Sequence, residues 1–210
     1  MLLLRVEKLP AGPECNYEIK LDSYRALAIK SAGKVQLRSR NDNDFSGRYP
    51  GIVKALASMP DETVIDGEVV ALDADGKPSF STLQNYGSAG APLYFYVFDV
   101  SILDGRNVMG EPLVKRRELL EKRVLPKLAE PIRYSPALEA GLKDLIDSVR
   151  AQGLEGLVAK RRDSAYEPGL RSGAWQKMRV NQGQELVIGA IRRQRRTSMR
   201  WSSAITKATG

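Results

Sequence analysis

Glu18-Ile19-Lys20-Leu21-Asp22-Ser23-Tyr24-Arg25 is the stretch whose reading decides this chain. Tyr17–Lys20 is short and apolar-rich, as a strand is, and a second such run covers Arg25–Lys30. Lys20 therefore sits at the end of a strand, where rigid backbone aims it into a pocket. Taken alone, a lysine followed by an aspartate at a strand end most often makes a surface salt bridge. A nucleophilic lysine must instead be neutral, against a reference pKa of about 10.4. Neighbouring cations, a metal ion and partial burial are what depress it.

Working outward, strand-like runs recur at Val35–Arg38 after a Gly33 turn, at Thr63–Leu72 before a turn at Asp73-Ala74-Asp75-Gly76, and at Leu93–Val100. Gly156–Lys160 and Trp175–Val180 follow, and Glu185–Ile191 starts one more. Helical spacing predicts helices over Pro50–Met59, Lys115–Leu128 and Pro136–Gln152. The last carries one apolar stripe of Leu138, Leu142, Leu145, Ile146 and Val149. Met1–Asn16 reads as an irregular lead broken by Pro10, Gly12 and Pro13. Antiparallel-looking strands with helices between them predict an α+β fold.

Composition narrows the chemistry. The 210 residues suffice for one domain with a sizeable core, or one domain and part of a second. No apolar run approaches the ~20 residues that span a bilayer, and Met1–Arg5 lacks the core of a signal peptide, so a cytoplasmic place is expected. One cysteine, Cys15, forms no internal disulfide or thiolate cage, and zero histidines exclude histidine bases and ligands. The net charge is +8. Residues 192–210 hold six basic residues and no acid, so the rest sets 27 basic against 25 acidic residues. A cationic end of this kind suits a polyanion such as nucleic acid, or is simply solvated.

The motifs form an ordered series: Lys20-Leu21-Asp22-Ser23-Tyr24-Arg25, then Ser39-Arg40-Asn41, Ile65-Asp66-Gly67-Glu68, Tyr96-Val97-Phe98-Asp99, Glu155-Gly156-Leu157-Val158-Ala159-Lys160 and Trp175-Gln176-Lys177-Met178-Arg179. Read singly, Phe98 is core packing, Glu68 and Glu155 are solvated strand ends and Lys177 is a surface lysine. Read together, in this order and spacing, they resemble the motifs of the covalent nucleotidyltransferases: DNA ligases, RNA ligases and mRNA capping enzymes. Tyr166-Glu167-Pro168-Gly169-Leu170-Arg171-Ser172-Gly173-Ala174-Trp175 adds a closer resemblance, to the ligase domain of bacterial non-homologous end-joining ligases. The likeness covers roughly Leu9–Ile191.

The resemblance implies an ATP-grasp-like nucleotidyltransferase fold of antiparallel sheets flanked by helices. It implies Lys20, Asp22 and Arg25 as the catalytic set. It places Glu18, Ile19, Arg40, Glu68, Phe98, Lys160, Arg171 and Lys177 around the nucleotide, with Phe98 stacked on the base, and Glu68 and Glu155 on Mg²⁺ or Mn²⁺. ATP is the implied co-substrate, held as covalent AMP, and nicked double-stranded DNA the implied partner. The order of events is AMP uptake by Lys20, transfer to a 5′-phosphate, and sealing by the neighbouring 3′-hydroxyl.

Three features depart from the family. Ser23 stands where the motif has glycine, which permits positive φ and close backbone approach. Arg179 replaces a lysine, a planar fork for a point charge. The family-like sequence ends near residue 184. Residues 1–184 are expected to form the adenylation domain, and residues 185–210 an altered start of an oligonucleotide-binding (OB) barrel, largely missing, with a basic tail. The expected activity is ligase adenylation. The alternatives are an impaired nucleotide- and DNA-binding remnant and an RNA-joining or capping relative. A separate chain supplying the barrel, or an end-joining protein, is an expected partner.

Overall fold

The strand-like runs pair into two sheets in the computed structural model, which describes residues 1–86 and 90–181. One sheet holds β1 (Leu4–Arg5), β2 (Cys15–Lys20), β9 (Gly156–Arg161) and β10 (Trp175–Arg179), in the order β1-β10-β9-β2. The other holds β3 (Tyr24–Ser31), β4 (Lys34–Ser39), β5 (Thr63–Ala71), β6 (Leu93–Leu103) and β7 (Arg106–Asn107), in the order β4-β3-β5-β6-β7, with β8 (Ile132–Tyr134) also on β6. The pairings are antiparallel except β1 with β10 and β6 with β8. Helices α1 (Pro50–Ala55), α2 (Phe80–Gln84), α3 (Leu113–Leu119) and α4 (Leu142–Ala151) lie between strands in the chain. The fold class is α+β, as the alternation predicts. No helix among the described residues is long and apolar enough to cross a membrane.

Three apolar clusters hold this frame. The larger sheet buries Ala26, Ala28, Ile65, Val69, Phe95 and Val97 against Ile52, Leu56 and Leu83 of the helical segments. The smaller sheet buries Tyr17, Leu157 and Ala159 against Leu145 and Val149 of α4. Each Val, Leu, Ile or Phe side chain among them contributes about 1.5–3 kcal/mol on burial. A third cluster joins Phe98 of β6 to Trp175 of β10 and to Tyr166, and so ties one sheet to the other.

Two motif glycines are required by this packing. A Cβ on Gly67 would lie 2.7 Å from the Phe95 ring and from the Tyr96 carbonyl. A Cβ on Gly156 would lie 2.0 Å from the Met178 carbonyl. The register of β5 on β6 shifts between Asp66 and Gly67. Such irregularities bend a strand and re-aim its side chains.

Several boundaries differ from the sequence expectation. The expected helix over Lys115–Leu128 is α only to Leu119, then a π turn at Leu120–Val124 and a 3-10 turn at Leu125–Lys127. Pro126 cannot supply the N–H that a continuing α-helix needs. The helix expected from Pro136 starts only at Leu142. The Leu138 N–H instead donates to the Tyr17 carbonyl at 2.8 Å, which ties this segment to β2. The lead is not wholly irregular, since Leu4 and Arg5 pair with Gln176 and Lys177. The strand expected at Glu185–Ile191, the boundary near residue 184 and the basic tail lie outside the described residues.

Candidate active site

A cleft of about 430 Å³ is lined by both sheets. From the smaller sheet come Glu18, Ile19 and Lys20 of β2, Val158 and Lys160 of β9, and Trp175 and Lys177 of β10. From the larger sheet come Arg25 of β3, Glu68 of β5 and Phe98 of β6. Ser23, Arg40 and Arg171 complete it from loops. Ten of the residues expected from the sequence are thus brought to one cleft. Asp22, which is exposed, and Glu155 are outside that lining.

Lys20 sits at the end of β2, opposite Gly156 in the ladder, so Glu155 lies beside it. Lys20 Nζ donates to Glu155 Oε2, and Arg179 Nε donates to Glu155 Oε1 at 3.0 Å. Both oxygens of this carboxylate are therefore engaged by cations. Lys177, two residues before Arg179, lines the same cleft. Burial and then the Lys20 charge push its ammonium below the usual lysine value. Cations so crowded suit a polyanionic ligand.

Ser23 shows no positive φ. The serine therefore strains no glycine-type backbone. Its Oγ donates to Glu68 Oε2 at 2.7 Å. Burial pushes the Glu68 carboxyl up, while this hydrogen bond, then Lys160, Arg25 and Lys20, pull it back.

Glu18 is turned inward. Its Oε1 accepts from Arg117 at 2.7 Å and its Oε2 from Lys160 at 2.8 Å. The Lys160 ammonium lies 3.8 Å from the centre of the Phe98 ring and 4.5 Å from Trp175. Burial pushes this ammonium down, and Glu18 opposes that. Arg25 Nε donates to Asp66 Oδ1 at 3.0 Å, and Tyr166 donates to Asp66 Oδ2 at 2.7 Å. Glu18 and Arg25 thus spend much of their bonding on neighbouring protein groups.

Sequence reading missed Arg117, Ser135 and the pairing of Arg179 with Glu155. Arg117 sits in a helical stretch of charged residues, where nothing marks it as buried. Ser135 lines the cleft and lies within reach of Glu18. Among the described residues, no three Asp, Glu, His or Cys side chains come together as a metal cage. Glu68 and Glu155 are carboxylates, the donor type that a hard cation such as Mg²⁺ takes together with substrate phosphates and water.

The family model described as "ATP dependent DNA ligase domain" matches residues 6–179. The multifunctional non-homologous end joining protein LigD of Pseudomonas aeruginosa is 37% identical over 186 residues, which are 87% of this chain and 22% of that protein. The multifunctional non-homologous end joining DNA repair protein LigD of Mycobacterium tuberculosis is 38% identical over 177 residues, 84% of this chain and 23% of that protein. A solved structure of mycobacterial DNA ligase D complexed with ATP and MES superposes with a TM-score of 0.73 at 34% identity, covering 90% of this chain and 63% of that one. The chain spans under a quarter of the length of these curated relatives. The extent of the family match and these identities establish that the chain belongs to the ATP-dependent DNA ligase domain family.

Proposed function

We propose that this chain is the adenylation domain of an ATP-dependent DNA ligase of the end-joining type, with Lys20 as the residue that takes up AMP. The observation that carries this reading is the position of Lys20 Nζ. It lies in the cleft against Glu155, with Lys177, Glu68 and Phe98 in the same lining.

In this reading Lys20 Nζ forms a bond to the α-phosphorus of ATP as the bond to the bridging oxygen breaks and pyrophosphate leaves. Glu155, already at Nζ, is placed to take the amine proton. Lys177, Arg40 and Arg171 stabilise the phosphate charge, an electrostatic contribution that grows where water is excluded. Phe98 offers a ring for the base and Glu68 an acceptor for the ribose. Mg²⁺ or Mn²⁺, when held at Glu68 and Glu155, would screen the triphosphate from the incoming amine. AMP then passes to the 5′-phosphate of a DNA nick, and the adjacent 3′-hydroxyl displaces it. Asp22, exposed beside Lys20, is assigned to that later stage, when DNA covers the site. The solved relative complexed with ATP supports the nucleotide assignment.

The ATP-grasp-like description of residues 1–184 belongs to the same proposal. So do a cytoplasmic place and a partner that acts in end joining.

Intact-mass spectrometry before and after incubation with ATP and Mg²⁺ tests the first step. The expected result is one added AMP, absent from Lys20→Ala, followed by sealing of nicked DNA in a separate assay. No adduct on the wild-type chain would favour a remnant that binds nucleotide or DNA without catalysis.

A further inference from the structure

Ser23 and Glu68 carry an inference about which sugar this cleft accepts. A carboxylate offers two oxygens. A free one can meet a vicinal diol with both, one to each hydroxyl of a ribose. Glu68 is not free in this way, because Ser23 Oγ donates to its Oε2 at 2.7 Å. Both residues line the cleft, and neither is fully buried. Ser23 reaches Glu68 across 45 residues of chain, from the loop that follows Lys20, so the contact is tertiary. Glycine at this position could make no such bond.

Nearby cations do not compete for that oxygen at hydrogen-bond distance. Arg25, cross-strand to Glu68, gives its guanidinium to Asp66 and to the Met1 carbonyl. Lys160 gives its ammonium to Glu18, and Lys20 to Glu155. The serine hydroxyl is the one side-chain donor on Glu68 among the described residues. Sharing Oε2 between serine and a sugar hydroxyl divides its charge between two donors, so the second bond is the weaker.

We propose that Ser23 is a positioning residue that sets the sugar selectivity of this site, by occupying one oxygen of Glu68 and leaving the other as the single strong acceptor for the ribose. This rests on the reading that Glu68 meets the ribose of ATP. One hydroxyl then suffices, and either the 2′ or the 3′ group satisfies the free oxygen. The chain accordingly binds ATP, 2′-deoxyATP and 3′-deoxyATP within a few-fold of one another. Removing the serine hydroxyl frees the second oxygen and rewards the intact diol.

The test is calorimetric titration of the full chain with these three nucleotides in the presence of Mg²⁺. It is made in a Lys20→Ala background, so that no covalent step intervenes, and repeated with Ser23→Ala and Ser23→Thr added. The expected result is that Ser23→Ala raises the preference for ATP over both deoxynucleotides by about tenfold, the worth of one hydrogen bond to a charged group. Ser23→Thr, which keeps the hydroxyl, restores the wild-type ratio. A general disturbance of the loop would weaken all three nucleotides together and leave the ratio unchanged. ATP binding with a ratio that Ser23→Ala does not move overturns the role of Ser23 alone. A wild-type chain that already rejects both deoxynucleotides overturns it as well. Failure of all three nucleotides to bind overturns the nucleotide reading of the cleft and this inference with it.

Discussion

Arg116 and Asp99 lie in the interior, both fully buried, and protein groups close them completely. Arg116 donates to both Asp99 oxygens, at 2.9 and 2.8 Å, and to the carbonyls of Glu111 and Ser164, at 2.6 and 2.7 Å. Asp99 also accepts the Val100 N–H at 2.8 Å. In the cleft, Lys20 and Glu155 are 13% and 18% exposed, and Arg179, which shares Glu155, is 58% exposed. The interior pair has little bonding capacity left over. The cleft group keeps it: Lys20 and Arg179 each make a single side-chain hydrogen bond, to Glu155, and both remain at least partly exposed. A charge whose partners are all protein serves the fold, and a charge with capacity left over is available to a ligand.

The largest effects test the two ends of this contrast. Lys20→Ala is expected to remove AMP uptake completely while shifting the melting temperature little, because Glu155 keeps Arg179. An adduct that survives the substitution would mean that another group carries the nucleotide. Arg116→Ala is expected to cost about 3–5 kcal/mol, the usual result of leaving one buried charge without its partner. Urea unfolding reads this directly, and a loss under ~1 kcal/mol would show that the interior pair is dispensable. The two variants should therefore separate cleanly, one losing chemistry with the fold kept and the other losing the fold itself.

The cleft was legible in sequence because its residues sit on or beside strands in a fixed order, and a strand has little freedom in where it aims a side chain. Lys20, Glu68, Phe98, Lys160 and Lys177 were found this way. The buried ion pairs were not legible. Arg116 and Arg117 lie in Lys115-Arg116-Arg117-Glu118, which reads as a solvated face, yet both are buried. Their burial is set by partners 17 to 99 residues away, Asp99 and Glu18, and no local pattern encodes that. The ion pairs of Glu18 with Arg117 and Lys160 were likewise not legible, although Glu18 itself lines the cleft as expected. The short β1, β7, β8 and α2 were missed for a simpler reason, since elements of two to five residues carry no measurable period. Strand pairing supplied what periodicity could not.

A subtler effect is expected at Glu68, which lines the cleft and yet is pushed toward its neutral form by burial. An acid whose folded pKa lies above its unfolded value binds more protons when folded, so its ionisation lowers stability as pH rises through that window. Glu68→Gln removes this cost while still accepting the Ser23 hydrogen bond through the amide oxygen. The variant should melt higher than wild type at neutral pH, and the gain should vanish in acid, while AMP uptake falls sharply. Stability given up at a working site is a common exchange. A variant that melts lower at neutral pH would place Glu68 with the interior pair, as a structural charge.

The smallest effect belongs to Arg179, which gives Glu155 a 3.0 Å bond from a mostly exposed side chain. Exposed pairs contribute about 0–1 kcal/mol, because water and salt screen them and two long side chains must be ordered. Arg179→Ala should therefore leave the melting curve nearly unchanged. It should still slow AMP uptake by a few-fold, since Glu155 loses the contact that steadies it beside Lys20. Raising ionic strength should reproduce part of that slowing in the wild type and little in the variant, because screening acts on the same exposed contact. Arg179→Lys keeps the charge and loses the planar fork, so it separates the two contributions. If lysine restores the rate, the charge alone matters at this position. If it does not, the directed bond to Glu155 is what this chain's arginine supplies, and the cleft shares with the interior a dependence on geometry as well as charge.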